Sequence, residues 1–220
     1  MENVRKGKVA KNPSSEEWQS WKKDMLEHDV PEWYIGSCEK IKYMFPKAHA
    51  VAYVMMAWRI AYCKINYPLA YYAAYFSIRA KAFNYELMCQ GKNSVESHLK
   101  EYDNKENLSQ KEENEYSDML LVQEMNARGY EFLPLDLYKS DSRYFKVEDG
   151  KIRPPFISVD GMGENAADSL MIAAQNSPFI SKEDIKNRGK VPKTIIETFD
   201  RLGVMKGLPE SDQISLFDIM

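Results

Sequence analysis

Prolines divide the first third of the chain into segments, and their spacing constrains the fold more than any other feature of the sequence. Proline lacks a backbone N–H, so it is accepted in the first turn of a helix and disrupts a helix interior. Pro13, Pro31, Pro46 and Pro68 each stand just ahead of a segment with helical composition. The spacing therefore predicts that the first half of the chain is compact and entirely helical.

The segments between these prolines differ in their predicted roles. The residues before Pro13 are polar and basic and are predicted to be a tail or a linker. Ser14, with Glu17 three residues later, is predicted to form the capping box of the first long helix. Residues 47–66 are predicted to form a longer helix. Its apolar side chains cover two faces of the helical wheel, so we expect this helix to be buried on two sides.

The composition changes after Gly91, where large apolar residues become rare. Residues 92–118 are rich in acidic and other polar side chains and are predicted to form a solvated helical hairpin. Ser109 and Glu112 have the spacing of a second capping box, which would begin the second helix of that hairpin.

Strand-like sequence follows the acidic segment. Residues 144–147 and 151–153 flank Glu148-Asp149-Gly150, which has the composition of a hairpin turn. A further helical block is predicted from Glu164 to about Gly203. The final residues hold no periodic pattern and are predicted to form a flexible tail.

Bulk composition restricts the class of protein. The formal net charge of −3 argues against a uniformly basic nucleic-acid binder but is compatible with a local cationic surface. Cys38, Cys63 and Cys89 form no paired motif and are expected to be buried, which indicates a reducing compartment. Arg59 and Lys64 interrupt the longest apolar run, so no membrane span is predicted. The charged N-terminus is not followed by the apolar core of a signal peptide. We therefore expect a soluble, cytoplasmic protein.

Residues 158–170 have the pattern of a helix-hairpin-helix element, in which an apolar frame surrounds two glycines and a helix follows. Glycines permit a tight hairpin and close approach of the backbone. The exposed amides of the following helix can then bind a DNA phosphate without reading the base sequence. The alternative interpretation is an ordinary turn at the start of a helix.

Residues 181–199 resemble a degenerate second copy of this element. Four basic residues supply local positive charge there, and a solvated basic face is the alternative interpretation. They are Lys186, Arg188, Lys190 and Lys193. The residues predicted to bind DNA in the two copies are Gly161, Met162, Gly163, Asn165, Lys190 and Lys193.

The start of the predicted helix at 47–66 carries two cationic or titratable side chains, Lys47 and His49. The helix dipole disfavours cations at this end. The placement is explained if an anion such as a phosphate binds there, because helix N-terminal amides and a lysine together form a phosphate site. The alternatives are a solvated Lys47 and a hydrogen-bonded core His49.

The extreme C-terminus carries a short motif in a polar context. It reads Gln213, Ile214, Ser215, Leu216 and Phe217. A glutamine, a small polar residue and a Leu-Phe pair match the pentapeptide by which bacterial proteins bind the sliding clamp. Leu216 and Phe217 would fill an apolar pocket while Gln213 forms hydrogen bonds at its rim. The motif is short enough for chance matches to occur.

Taken together, these stretches resemble the C-terminal part of the alpha subunit of bacterial DNA polymerase III, of the PolC type found in low-GC Gram-positive bacteria. The resemblance covers nearly the whole chain, and residues 92–118 and 218–220 depart from it most. The stretches that carry it are 30–34, 40–50, 59–62, 71–76, 154–156 and 208–217.

The resemblance implies a mainly α fold with four parts. Residues 1–90 would belong to the polymerase fingers, 91–153 would be a helical insertion and a β-hairpin linker, 154–205 a tandem helix-hairpin-helix domain, and 206–220 a clamp-binding tail. Near the incoming nucleotide it would place four side chains. They are Lys47, His49, Tyr53 and Arg59.

The resemblance also implies what this chain lacks. Two-metal nucleotidyl transfer needs closely spaced aspartates, which in this family lie in the palm, upstream of the fingers. We therefore expect no catalytic residue, metal ligand or cofactor in this chain, and magnesium only in the full-length DNA-directed DNA polymerase. Expected partners are duplex primer-template, deoxynucleotide and the β sliding clamp, with no membrane. An independent DNA-binding adaptor that reaches the clamp through its tail is the alternative function.

Overall fold

The computed structural model describes residues 2–212, which form helices and one small sheet. The helices are α1 (Glu2–Arg5), α2 (Lys8–Lys11), α3 (Glu16–Glu27), α4 (Glu32–Lys40), α5 (Lys47–Asn66), α6 (Pro68–Ile78), α7 (Tyr85–Met88), α8 (Lys92–Asp103), α9 (Gln110–Ala127), α10 (Glu164–Asn176), α11 (Lys182–Gly189) and α12 (Lys193–Arg201). Strands β1 (Lys146–Glu148) and β2 (Lys151–Arg153) pair antiparallel. The prediction of a mainly helical fold with a short β-hairpin is confirmed.

The chain divides into two compact units between Tyr62 and Cys63. The predicted boundaries at residues 90, 153 and 205 stay predictions. The predicted clamp-binding pentapeptide, 213–217, and residues 218–220 lie outside the described residues. Residues 206–212 of the predicted tail are described, and within them Pro209 and Glu210 accept backbone hydrogen bonds from the start of α11.

In the first unit, the segment before Pro13 is folded, and its prediction as a tail or linker was wrong. Helices α1 and α2 bury Val4 and Val9 in the same core as Trp18 of α3. Gly7 joins the two short helices at φ 71°, and a Cβ there would clash with the Lys42 carbonyl oxygen. Glycine therefore allows a close chain crossing that the polar composition of the segment did not indicate.

The helices of the first half begin at or just after the prolines, as predicted, but the first predicted capping residue is displaced by one position. Pro31 is the N-cap of α4, and Pro68 occupies the first turn of α6. The predicted capping box at Ser14 was wrong by one residue, because it is the Ser15 hydroxyl that accepts a hydrogen bond from the Trp18 N–H, at 3.4 Å.

Helix α5 has the predicted bounds but not the predicted burial. None of its residues is buried, and Trp58 is 74% exposed. A helical wheel shows which faces are apolar, and burial additionally requires other elements to cover those faces. Within residues 2–212 these faces stay exposed. Cys63, on the same helix, is also exposed, whereas Cys38 is buried and Cys89 is partly buried.

In the second unit, α8 and α9 form the predicted hairpin, and the capping box of Ser109 and Glu112 is confirmed. Two acidic residues of this segment are buried, contrary to the prediction of a solvated face. Glu115 accepts a hydrogen bond from the Tyr102 hydroxyl at 2.8 Å, and Asp118 accepts two from backbone N–H groups, each at 3.0 Å. Burial raises the pKa of Asp118.

The β-hairpin turns at Asp149 and Gly150, both with positive φ, as the type I′ two-residue loop requires. Buried Arg153 of β2 donates to Glu148 of β1 and to the Pro134 carbonyl oxygen at 2.6 Å. Ile152 of the hairpin is buried in the same core as Val95 of α8 and Met119 of α9. The C-terminal helices have a core of their own, which includes Phe156, Leu170 and Phe199.

Candidate nucleic-acid interface

The first hairpin lies between a 3-10 turn, Phe156–Ser158, and helix α10. Gly161 sits at its tip with φ 82°, in the left-handed region that favours glycine. The Met162 N–H donates to the Val159 carbonyl at 3.0 Å, and the Met162 side chain is buried. Met162 therefore holds the hairpin together from the inside, and its side chain does not face solvent.

Gly163 is the N-cap of α10 and provides no side-chain cap. The first intrahelical bond is donated by the Ala167 N–H to the Gly163 carbonyl at 3.0 Å, so the amides of residues 164–166 have no partner within the helix. A Cβ on Gly163 would have no atom within 4 Å. Together with exposed Asn165, this end of α10 is open to a ligand that accepts hydrogen bonds.

The second hairpin lies between α11 and α12. Like the first, it has a left-handed residue at its tip and is followed by a helix without a side-chain cap. Lys190 occupies its tip with φ 52°, a left-handed conformation that is uncommon for a residue with a side chain. Pro192 is the N-cap of α12 and provides no side-chain cap. In contrast, α11 is capped by the Ser181 hydroxyl, which accepts from the Asp184 N–H at 2.9 Å. Both helices that follow a hairpin thus begin without a capping side chain.

The two hairpins pack against each other reciprocally. A Cβ on Gly161 of the first hairpin would lie 3.7 Å from Cδ1 of Ile195, in the first turn of α12. A Cβ on Gly189 of the second hairpin would lie 3.0 Å from Cδ1 of Leu170, in α10. Each glycine thus contacts the helix that follows the other hairpin. This arrangement makes the two copies one structural unit and places the start of α12 beside the tip of the first hairpin.

The basic residues predicted around the second hairpin fall into two groups. Lys186, Lys190 and Lys193 are exposed, and Lys193 forms an (i, i+4) ion pair with Glu197 at 3.7 Å. Arg188 instead donates to Asp184 at 2.7 Å and lies over the Phe179 ring at 4.5 Å. Its hydrogen bond holds the pKa of Asp184 below the usual range. Arg188 therefore serves the internal structure, and its charge is neutralised within the chain.

Two basic residues beside the first hairpin were missed by sequence reasoning. Arg143 binds Asp168 at 2.6 Å and Glu164 at 2.7 Å, and Lys111 of α9 lies 3.3 Å from Asp160 at the hairpin. They reduce the negative charge around the open end of α10. No local signal marks them, because both come from segments far away in sequence.

The residues predicted to lie near a nucleotide are all on the exposed surface of α5. His49 stacks on Phe45 with centroids 4.8 Å apart and lies 4.5 Å from the Tyr53 ring. Phe45, His49 and Tyr53 line an open, apolar cavity. Lys47 is in the first turn, whereas Arg59 is twelve residues on, roughly 18 Å along the axis. The helix thus brings Lys47, His49 and Tyr53 to one end and leaves Arg59 apart.

Within residues 2–212 no cluster of histidine, cysteine and acidic side chains has the arrangement of a metal site. None of the described helices is long and apolar enough to cross a membrane.

Comparison with known proteins connects this geometry to a family. The family model described as "Helix-hairpin-helix motif" matches residues 129–213, which include both hairpins. The chain is 47% identical over 219 residues to "DNA polymerase III PolC-type" of Lactococcus lactis subsp. lactis. It is 49% identical over 218 residues to the protein of the same name from Clostridium perfringens. Along almost its whole length the chain is similar to a segment of PolC-type DNA polymerase III proteins.

The match to these PolC-type polymerases covers 99% of this chain and 13–15% of each relative. The match to the PolC-type protein from Halalkalibacterium halodurans covers the same share of this chain, with 46% identity over 218 residues. The resemblance to PolC-type enzymes that the motifs indicated is therefore confirmed. The chain thus aligns with a small part of each of these polymerases, and the aligned part contains the tandem helix-hairpin-helix unit.

Proposed function

We propose that this chain is the part of a PolC-type, DNA-directed DNA polymerase III that binds duplex primer-template through its two hairpins. The observation that carries the proposal is the reciprocal packing of two hairpins, each followed by a helix without a capping side chain. Such amides bind phosphate without reading bases. Exposed Lys190 and Lys193 add positive charge at the second hairpin.

A substitution at Gly163 tests this proposal directly. A serine there would place a hydroxyl where it can accept from the open amides of α10, as N-cap serines do. We expect Gly163→Ser to keep or raise the free energy of unfolding, because Gly163 has φ −78° and free space around its Cβ position. Duplex affinity should fall about tenfold, since a phosphate contact contributes about 1.5–3 kcal/mol. Fluorescence anisotropy with a short duplex measures this loss.

Gly36→Ser is the matched control, because it adds the same side chain at a glycine of α4 with free space around it. This control should bind duplex DNA like the unchanged chain. If Gly163→Ser retains full duplex affinity and thermal stability, the end of α10 is not a phosphate site.

We also propose that the start of α5 contacts the incoming deoxynucleotide in the full-length polymerase. Lys47 and the amides of the first turn would face the triphosphate, and the rings of His49 and Tyr53 lie beside them. Arg59 is too far along the helix to share the contact of Lys47.

In the full-length enzyme, Lys47→Ala should raise the KM for deoxynucleotides by roughly tenfold or more. Binding of primer-template should change much less, because the lost contact is to the triphosphate. Steady-state primer extension and a separate DNA-binding titration measure the two effects. Lys42→Ala, another exposed lysine, is the control. An unchanged KM in Lys47→Ala would mean that Lys47 is simply solvated.

We propose no catalytic residue in this chain. Magnesium and the nucleotidyl transfer itself belong to the parts of the polymerase beyond it.

The pentapeptide 213–217 is proposed to bind the β sliding clamp in the cytoplasm. An independent adaptor would need the same DNA and clamp contacts, but similarity to full-length polymerases along 99% of the chain favours the polymerase segment.

A further inference from the structure

The four residues that directly precede the proposed clamp-binding pentapeptide are bound to the start of α11. The Lys182 N–H donates to the Pro209 carbonyl at 2.9 Å, and the Glu183 N–H donates to the Glu210 carbonyl at 3.1 Å. These two amides belong to the first turn of α11 and have no partner within the helix. Residues 209–210 therefore complete the capping of α11 that Ser181 begins.

Side chains add three further contacts to this docking. Glu210 forms an ion pair with Lys182 at 2.5 Å, and the Ser211 hydroxyl donates to Glu183 at 2.8 Å. The Ser181 hydroxyl, which is fully buried, donates to the Asp212 carboxylate. Lys182 is also held by Asp200 of α12 at 2.7 Å. Every residue from 209 to 212 thus contributes a backbone or side-chain hydrogen bond, and we call this segment the tail anchor.

The tail anchor follows directly on the helix-hairpin-helix core. Leu208 packs against that core, and its N–H donates to the Met205 carbonyl at 3.1 Å. The path of the chain is consequently defined from the core to Asp212. The pentapeptide begins at the next residue, Gln213.

We propose that the tail anchor holds the root of the clamp-binding pentapeptide at a fixed point on the duplex-binding unit, so that the chain engages the clamp and the DNA within it together. This inference rests on the proposed clamp and duplex binding. A tether raises the effective concentration of a second binding event, and the gain falls steeply as the tether lengthens. Lys182, Ser181 and the acidic residues of the tail anchor would therefore act as positioning residues for the pentapeptide.

The size of the effect follows from tether length. Releasing the anchor would free about four residues between the core and the pentapeptide. With the effective concentration falling as roughly the −3/2 power of tether length, the coupling between clamp and duplex binding should drop about tenfold.

The experiment compares the full 220-residue chain with an anchor-release variant carrying Glu210→Gly, Ser211→Gly and Asp212→Gly. Affinity is measured for duplex DNA alone, for the purified sliding clamp in solution, and for the clamp loaded on circular primed DNA. We expect the first two affinities to stay within about twofold and the third to fall about tenfold. Amide hydrogen exchange at Lys182 and Glu183 should accelerate in the same variant.

A charge-matched control, Glu106→Gln with Glu113→Gln, removes two exposed acidic charges away from the anchor and should leave all three affinities unchanged. A second series inserts Gly-Ser linkers between Asp212 and Gln213, which leaves the anchor intact. Affinity for the loaded clamp should fall progressively as these linkers lengthen.

The outcomes separate this inference from the function on which it rests. If the unchanged chain does not bind the clamp in solution, the proposed clamp contact fails whatever the anchor does. If it binds the clamp but the release variant and the linker series retain full affinity for the loaded clamp, the anchor has no positioning role. Loss of affinity for the loaded clamp with both other affinities intact supports the inference.

Discussion

Replacing Leu216 and Phe217 together by alanine should reduce the affinity of this chain for the sliding clamp about a hundredfold or more. Burying each of these side chains contributes about 1.5–3 kcal/mol. The ordering of the tail offsets part of this sum, and about 3 kcal/mol of net loss corresponds to more than a hundredfold. Gln213 should influence the register of binding more than its strength. Titration of purified clamp with the chain and the double variant measures the loss.

The tail offers its own control, because Ile219 and Met220 are also apolar and lie beyond the Leu-Phe pair. Replacing these two residues by alanine should leave clamp affinity unchanged. Equal affinity of the Leu216→Ala, Phe217→Ala variant and the unchanged chain would remove the pentapeptide from the clamp interface.

Duplex binding by the unchanged chain should weaken roughly tenfold to a hundredfold between about 50 and about 200 mM salt, with little dependence on base sequence. Each lysine that contacts a phosphate releases about one counterion. Replacing Lys190 and Lys193 by glutamine should therefore reduce the salt slope by about two and weaken binding at low salt. Anisotropy titrations across a salt series, with two unrelated duplexes, check both expectations.

Lys92→Gln with Lys100→Gln is the matched control for this pair. Both lysines are exposed on α8, and Lys92 forms an (i, i+4) pair with Glu96 at 3.8 Å, as Lys193 does with Glu197. This control should retain the salt slope of the unchanged chain. A slope that the Lys190 and Lys193 changes do not alter would show that the second hairpin does not contact phosphate.

The features that could be predicted from the sequence depend on residues close together along the chain. Pro31 and Pro68 mark helix starts because proline is compatible only with the first turn. The capping box of Ser109 and Glu112 closes within four residues, and Asp149-Gly150 supplies the positive φ of a hairpin turn. The glycine pattern of the first hairpin was recognised for the same reason, since Gly161 adopts φ 82°, a conformation that glycine permits at little cost.

The features that were missed or wrong depend on which elements meet in space. The apolar faces of α5 predicted burial, but no part of the described chain covers them. Val4 and Val9 lie in polar sequence and are nevertheless buried by α3 and α4. A local pattern specifies which face of an element is apolar, whereas its burial is decided by packing partners distant in sequence.

In the candidate interface too, some features could be predicted from the sequence and others only from the tertiary structure. The sequence alone was enough to locate both hairpins and the basic residues of the second hairpin, because short, continuous motifs specify these features. Only the tertiary structure showed that Arg188 is paired internally with Asp184, that Arg143 neutralises Glu164, and that residues 209–212 dock on α11. Each of these contacts joins side chains or backbone groups whose partners are selected by the fold. A charge or an open amide is available to a ligand only when the fold leaves it without such a partner.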